Sequence, residues 1–203
     1  MGPRNFVIAF AAGIALAAGI FLALKQSAPQ QLRSAFVLPA PEVLPDFALL
    51  DQAGEAFTPD SLSGQWDVVF FGFTSCPDIC PVTLQKLTLA RRQMQEAGIG
   101  ELPRIVLVSV DPEHDTPDII GKYVNYFGDG NVGVTGTLEE TRKLAKSLYV
   151  YFEKVALEDG GYTVDHSPAV LVIDPDGRYH SGFGSSMTAE DYAYDLSILM
   201  GVY

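Results

Sequence analysis

A nearly unbroken apolar run, WDVVFFGF (66–73), leads directly into TSCPDICP (74–81), and both cysteines of the chain fall in that second segment. A run of this kind suits a strand buried on both faces of a sheet. From Pro81 to about Ala97 the pattern turns helical, with Leu84, Leu87, Leu89 and Met94 on an apolar side and Gly98 suited to its stop. A buried strand that feeds a helix N-terminus commits the chain to a layered α/β architecture. It also marks the place where such folds put their chemistry.

The rest of the domain repeats the alternation. FALLDQAGEAF (47–57) reads as a small hairpin and RIVLVSV (104–110) as a second buried strand. Asp115 or Thr116 can cap a helix from about Pro117 to Phe127; NVGVTG holds a short strand, and Thr137 caps a helix to about Leu148. YVYFEKVALEDGGYTV (149–164) reads as a hairpin turning at residues 159–161. AVLVIDPDGRYHSGF (169–183) is strand, Pro-Asp-Gly turn, strand, and residues 186–199 close as a helix. The fold class expected is therefore α/β, a central mixed sheet flanked by helices, over residues 45–203.

The N-terminus is of another kind. Residues 6–24, FVIAFAAGIALAAGIFLAL, carry no charge over 19 positions. At ~1.5 Å per residue they reach roughly 28 Å, close to the thickness of a bilayer core. A secretory signal has a shorter apolar region and a small-residue cleavage site; here Ser27–Ala28 is followed by Pro29. Residues 1–25 are therefore expected to be an uncleaved transmembrane anchor. Residues 26–44 mix Pro, Ala and Gln without period and read as a partly extended linker. The formal net charge of −12 sets the chain against nucleic acid and anionic lipid as partners.

Two cysteines do not make the disulfide framework of a small secreted scaffold, so a close pair in a domain of this size points to redox or metal chemistry. The helix dipole and free N–H groups favour anions at Cys76 and Cys80 and should lower their thiol pKa values. The spacing is C-x-x-x-C, and positions four apart share one helix face, roughly 6 Å apart along the axis. That pair could close a disulfide or pinch a metal. Two thiolates are too few for a closed zinc site, whereas soft cuprous ion accepts two thiolates and one imidazole. The chain has three histidines. His180, after the Pro-Asp-Gly turn, reads as a surface residue. His114 sits among Asp111, Glu113 and Asp115, in a solvated loop or as a secondary cation contact. His166, in VDHSPAVLVID, lies two residues before Pro168 and just ahead of a buried strand.

With GFTSCPDICP (72–81), VSVDPEHDTP (108–117), VGVTGT (132–137), VDHS (164–167) and VIDPDG (172–177) in this order, the sequence resembles the Sco/SenC family of copper-binding cytochrome c oxidase assembly proteins. The cysteine motif with the downstream Asp165–His166 pair is the specific part. The resemblance implies a thioredoxin-like fold behind an N-terminal membrane anchor, with the domain in the bacterial periplasm. It implies a copper site, cuprous or cupric, built from Cys76, Cys80 and His166. It implies, as partners, the copper-bearing subunit of cytochrome c oxidase, a copper-donor chaperone and a thiol reductase. In thioredoxin-like folds a proline at the position of Pro168, often cis, opens the strand beside the cysteine motif, which puts His166 within reach. Pro168 itself is nearer the thioredoxin pattern than the commonest Sco pattern, which keeps a redox role in view.

Three functions stand as alternatives. Cuprous ion with two thiolates and neutral His166 carries a single net negative charge and leaves an open side from which a partner thiol can take the metal. In a thiol-disulfide oxidoreductase Cys76 would attack, Cys80 would resolve and His166 would tune the thiols. A thiol peroxidase would need one cysteine and no histidine. Asp78 and Asp165 read either as partner-steering or site-tuning charges or as ordinary loop and capping residues.

Overall fold

The computed structural model describes Leu16, Gly19 and residues 31–158, 160–185 and 187–201. The chain divides into two units, Met1–Gln31 and Leu32–Tyr203. The apolar run 6–24 lies, Leu16 and Gly19 apart, outside the described residues; among those described, no helix is long and apolar enough to cross a membrane.

Among the described residues the second unit holds ten strands and four α-helices in the order β1 (Phe36–Val43), β2 (Leu49–Asp51), β3 (Ala56–Phe57), β4 (Asp67–Gly72), α1 (Ile79–Glu96), β5 (Arg104–Ser109), α2 (Pro117–Phe127), β6 (Val132–Thr135), α3 (Leu138–Ser147), β7 (Phe152–Ala156), β8 (Tyr162–His166), β9 (Val170–Ile173), β10 (Arg178–Phe183) and α4 (Ala189–Leu199). Eight strands form one mixed sheet in the order β1-β10-β9-β4-β5-β6-β2-β3, and β7 with β8 form a separate two-stranded sheet. Strands β4, β5 and β6 are parallel, with β9 antiparallel to β4. Every residue of β4 and β9 is buried, as strands covered on both faces require. The right-handed rule for parallel crossovers puts α1 and α2 on one face of the sheet, and α1 packs against both α2 and α4. Asp67 and Arg104 open β4 and β5 as register partners, and the guanidinium grips the carboxylate at 2.6 and 3.0 Å.

Thr116 and not Asp115 caps α2, its side chain accepting from Ile119 N–H at 3.4 Å, and Thr137 caps α3 by accepting from Glu140 N–H at 3.2 Å. The largest departure from the sequence reading lies in residues 26–44. Far from being all linker, their second half is β1, which pairs antiparallel with β10 from Phe36↔Gly182 to Val43↔Arg178. The register slips between Val37 and Glu42, where Pro39 and Pro41 sit. An edge strand tolerates proline because its missing N–H faces outward. The Phe36 ring lies over Gly182, where an added Cβ would meet it at 2.7 Å.

A buried carboxylate on α4 holds the entry to this strand. Asp195 is 0% exposed and accepts the backbone N–H groups of Arg33, Ser34 and Ala35, each at 2.8 Å. Arg33 also stacks on the Tyr194 ring at 3.9 Å and pairs with Glu190 at 3.1 Å, but that pair is exposed and adds little. Asp195→Ala is expected to strand three N–H groups and release β1. The cost should be about 3 kcal/mol, or roughly 6–12 °C in melting temperature. Urea denaturation checks the stability, and limited proteolysis should show new cleavage confined to residues 33–43.

Candidate metal centre

The C-terminal ends of β4 and β5 converge on one edge of the sheet, and the site is assembled there. The chain leaves β4 at Gly72, turns through Phe73–Cys76 with Cys76 N–H donating to Phe73 O at 3.2 Å, and enters α1 at Ile79. Cys80 thus lies in the first turn of α1, one residue ahead of the helix start expected at Pro81. Its sulfur points back into the core and is 0% exposed, while Cys76 is half-buried. The sulfur fits because Gly72 has no side chain: a Cβ there would stand 2.9 Å from Cys80 Sγ.

His166 ends β8 opposite Phe152. Its Nδ1 lies 3.2 Å from the carbonyl oxygen of Ser167, which can only accept. Nδ1 therefore carries the proton, and Nε2 keeps its lone pair toward Cys80 Sγ at 3.5 Å. The rings of Phe70 and Phe73 stand edge-on to the imidazole at 5.9 and 6.1 Å. Burial lowers the His166 pKa below its ordinary value, against the pull of Ser167 and Asp165, so the ring stays neutral at pH 7. Ser167–Pro168 is a trans bond, as is every described peptide bond.

The ligand atoms of Cys76, Cys80 and His166 all lie within 4.8 Å of one another, the only such cluster of three among the described residues. Two soft sulfurs and one imidazole nitrogen make a donor set that fits a thiophilic ion such as cuprous copper and leaves one side open. The other two histidines stand elsewhere. His114 is exposed in its loop, and His180 packs edge-on against Trp66 at 5.3 Å. Asp78 holds the N-cap position of α1 without a side-chain cap bond and is exposed, as is Asp165.

The thiol chemistry differs from the sequence expectation. Burial pushes the Cys80 thiol well above its ordinary range and the hydrogen bond with Cys76 adds to this; the backbone bond from Phe73 opposes only in part. Desolvation outweighs the helix N-terminus because the sulfur is inside the core and not at its rim.

Two positioning residues escaped the sequence reading. Asp115, 1% exposed, accepts from Thr74 N–H at 3.1 Å, from Thr74 Oγ1 at 2.5 Å and from Ser109 Oγ at 2.7 Å. It ties the cysteine turn to the end of β5. A third acid in the short DPEHDTP loop was its only signal, and a capping role accounted for it equally well. Gly72 is the other, and a lone glycine in an apolar strand run is the cue for a close approach of this kind.

A scan of known families matches the SCO1/SenC family over residues 38–201. The chain belongs to this family of mixed α/β, thioredoxin-like proteins. It is 37% identical over 186 residues to the human mitochondrial SCO2 homolog, covering 89% of this chain and 68% of that protein. Among solved structures, Arabidopsis thaliana ScoI with copper bound is 34% identical with a TM-score of 0.75, covering 79% of this chain and 99% of that one. Bradyrhizobium japonicum ScoI with copper bound is 37% identical with a TM-score of 0.68, covering 77% and 98%.

Because Cys80 is buried and its pKa is raised, little of it is thiolate at pH 8, while Cys76 is accessible. Iodoacetamide at pH 8 is expected to modify Cys76 of the reduced protein about tenfold faster or more than Cys80. Raising the pH should narrow that gap. Mass spectrometry of the alkylated peptides reads both rates.

Proposed function

We propose that this chain is a membrane-anchored copper chaperone that holds one copper ion through Cys76, Cys80 and His166 and serves the dinuclear copper centre of cytochrome c oxidase. The observation that carries the reading is the free Nε2 lone pair of His166 facing a buried cysteine sulfur at 3.5 Å, with its tautomer set by Ser167. Family membership and the copper-bound relatives support it. In this reading the three side chains bind the ion, and the ion is cargo. The buried Cys80 and the walls of Phe70 and Phe73 keep water from one side. The half-exposed Cys76 gives a partner thiol its approach.

The apolar run 6–24 would anchor the chain in a bacterial inner membrane as a single span, with the domain in the periplasm. The copper-bearing subunit of the oxidase would receive the ion, and a copper donor and a thiol reductase would keep the site loaded and its thiols reduced.

One observation favours a second reading. An accessible Cys76 beside a buried Cys80 is the arrangement of an attacking and a resolving thiol. As a thiol-disulfide oxidoreductase the pair would pass two electrons to a partner disulfide, Cys76 and Cys80 closing a disulfide as the partner's two thiols form.

Anaerobic titration of the reduced, detergent-solubilised chain with cuprous ion separates the two. The chaperone reading expects one ion per chain and a loss in His166→Ala of about a hundredfold or more, since even an outer partner of a ligand is worth roughly 10–100-fold. Equal binding by both proteins, or by neither, would take His166 out of the site and leave the oxidoreductase reading.

A further inference from the structure

The hairpin that carries His166 stands apart from the central sheet, and its register decides which side chains it turns toward the site. Phe152 lies opposite His166, Lys154 opposite Val164 and Ala156 opposite Tyr162. Directly opposed residues on a β-pair project to the same face, and that face repeats every second residue. These six side chains therefore form one surface with three rungs. Phe152 and Val164 are buried, so this surface is the underside. Each rung also has a polar partner beneath, in α1 or in the loop that follows β5. His166 meets Cys80, Lys154 Nζ donates to Glu113 at 2.8 Å, and Tyr162 Oη donates to the Asp111 carboxylate at 3.0 and 3.2 Å. Lys154 lies 3.7 Å over the Tyr162 ring as well.

Asp111 and Glu113 belong to the loop that follows β5. Its later residue Asp115 ties the cysteine turn through Thr74, and its residue Asp111 ties the histidine hairpin through Tyr162. The two halves of the site are thus referred to one short loop. The two ties to the hairpin are unequal. Lys154 and Glu113 are exposed at 42% and 70%, and such a pair contributes little. Asp111 is 5% exposed, so loss of the phenol would remove a hydrogen bond from a buried carboxylate.

We propose that Tyr162 and Asp111 form a latch that seats the β7–β8 hairpin and so positions His166 against Cys76 and Cys80; they are positioning residues and not ligands. The inference rests on the copper reading of the site. Beyond the latch, the hairpin meets the domain through buried Phe152 and Val164 and through Arg142, which lies 4.8 Å over the Phe152 ring and 3.7 Å from Glu153 in an exposed pair.

The test is a double-mutant cycle on the full, solubilised chain. Tyr162→Phe removes one hydroxyl at a residue that is 39% exposed, so the fold should survive. Cuprous affinity is measured by chelator competition for the wild type, Tyr162→Phe, His166→Ala and the double variant. The latch expects Tyr162→Phe to weaken binding about tenfold when His166 is present and not at all when it is absent. In the metal-free protein, amide exchange in β7 and β8 should quicken while β4 and β5 stay unchanged. Unchanged affinity, or the same loss in both backgrounds, overturns the latch. Failure of the wild type to bind copper overturns the copper reading instead. The latch is then judged on exchange in the metal-free protein, where unchanged protection of the hairpin refutes it.

Discussion

The Cys80 sulfur occupies the space that Gly72 leaves by lacking a Cβ, inside the core and away from solvent. Its thiol is accordingly pushed up, and His166 beside it is held neutral for the same reason. A low-dielectric site of this kind keeps its groups uncharged unless a counter-charge arrives. A thiophilic cation is such a counter-charge, and it reverses the pKa logic at the moment of binding. In the copper reading, metal binding and deprotonation of the Cys80 thiol would therefore be one event. In the oxidised alternative a disulfide removes the charge problem by covalent means. Both proposed readings are ways of satisfying one buried sulfur.

The geometry around that sulfur comes from sheet topology. The parallel strands β4 and β5 end on the same edge, so the turns that leave them are neighbours although 37 residues separate their first positions, Asp67 and Arg104. The loop after β5 has the shortest path to everything on that edge. Asp115, which also accepts from Ser109 at the end of β5, holds the cysteine turn through Thr74, and Asp111 holds the hairpin through Tyr162. An acidic loop in this place reads as solubility or metal affinity when only charge is counted. Its buried members instead direct their lone pairs to hydroxyl and amide donors, leaving His114 between them exposed.

What could be read from the sequence is what local pattern determines. The apolar run of β4, the cysteines at the start of α1, the caps Thr116 and Thr137 and the hairpin before His166 each announce themselves within a few residues. The family pattern then joined the cysteines to His166, which lies 86 positions beyond Cys80, a juxtaposition that spacing alone does not give. The features that were missed depend on a distant partner. β1 carries two prolines and mostly exposed side chains, so it looks like linker until β10 and the Asp195 carboxylate are placed beside it. The helix position of Cys80 argues for a lowered thiol pKa, and only the burial that Gly72 permits reverses the sign. Asp115 shows the same gap, since a carboxylate near a helix start caps or ties according to what stands opposite it.

The three donors are not held with equal firmness, and that inequality bears on how a site of this kind could release an ion. Cys80 lies in the first turn of α1, so moving its sulfur means opening the core, and Cys76 sits half-buried in the turn that leaves β4. His166 belongs to a two-stranded sheet that shares no strand pairing with the central one. Such a hairpin is marginal by itself and takes its stability from what it packs on. Here those contacts are buried Phe152 and Val164, Arg142 against Phe152 and Glu153, the Phe70 and Phe73 rings on the imidazole, and polar ties each worth about 1 kcal/mol or somewhat more where the carboxylate is buried. Loosening the histidine is expected to cost the fold less than moving the buried Cys80 sulfur. In the copper reading, withdrawal of the hairpin would leave the ion on Cys80 and the half-exposed Cys76, open to a partner thiol. In the copper reading, a buried sulfur held by α1 and a nitrogen carried on a separate hairpin would let the nitrogen give way first, as release of a cargo ion requires.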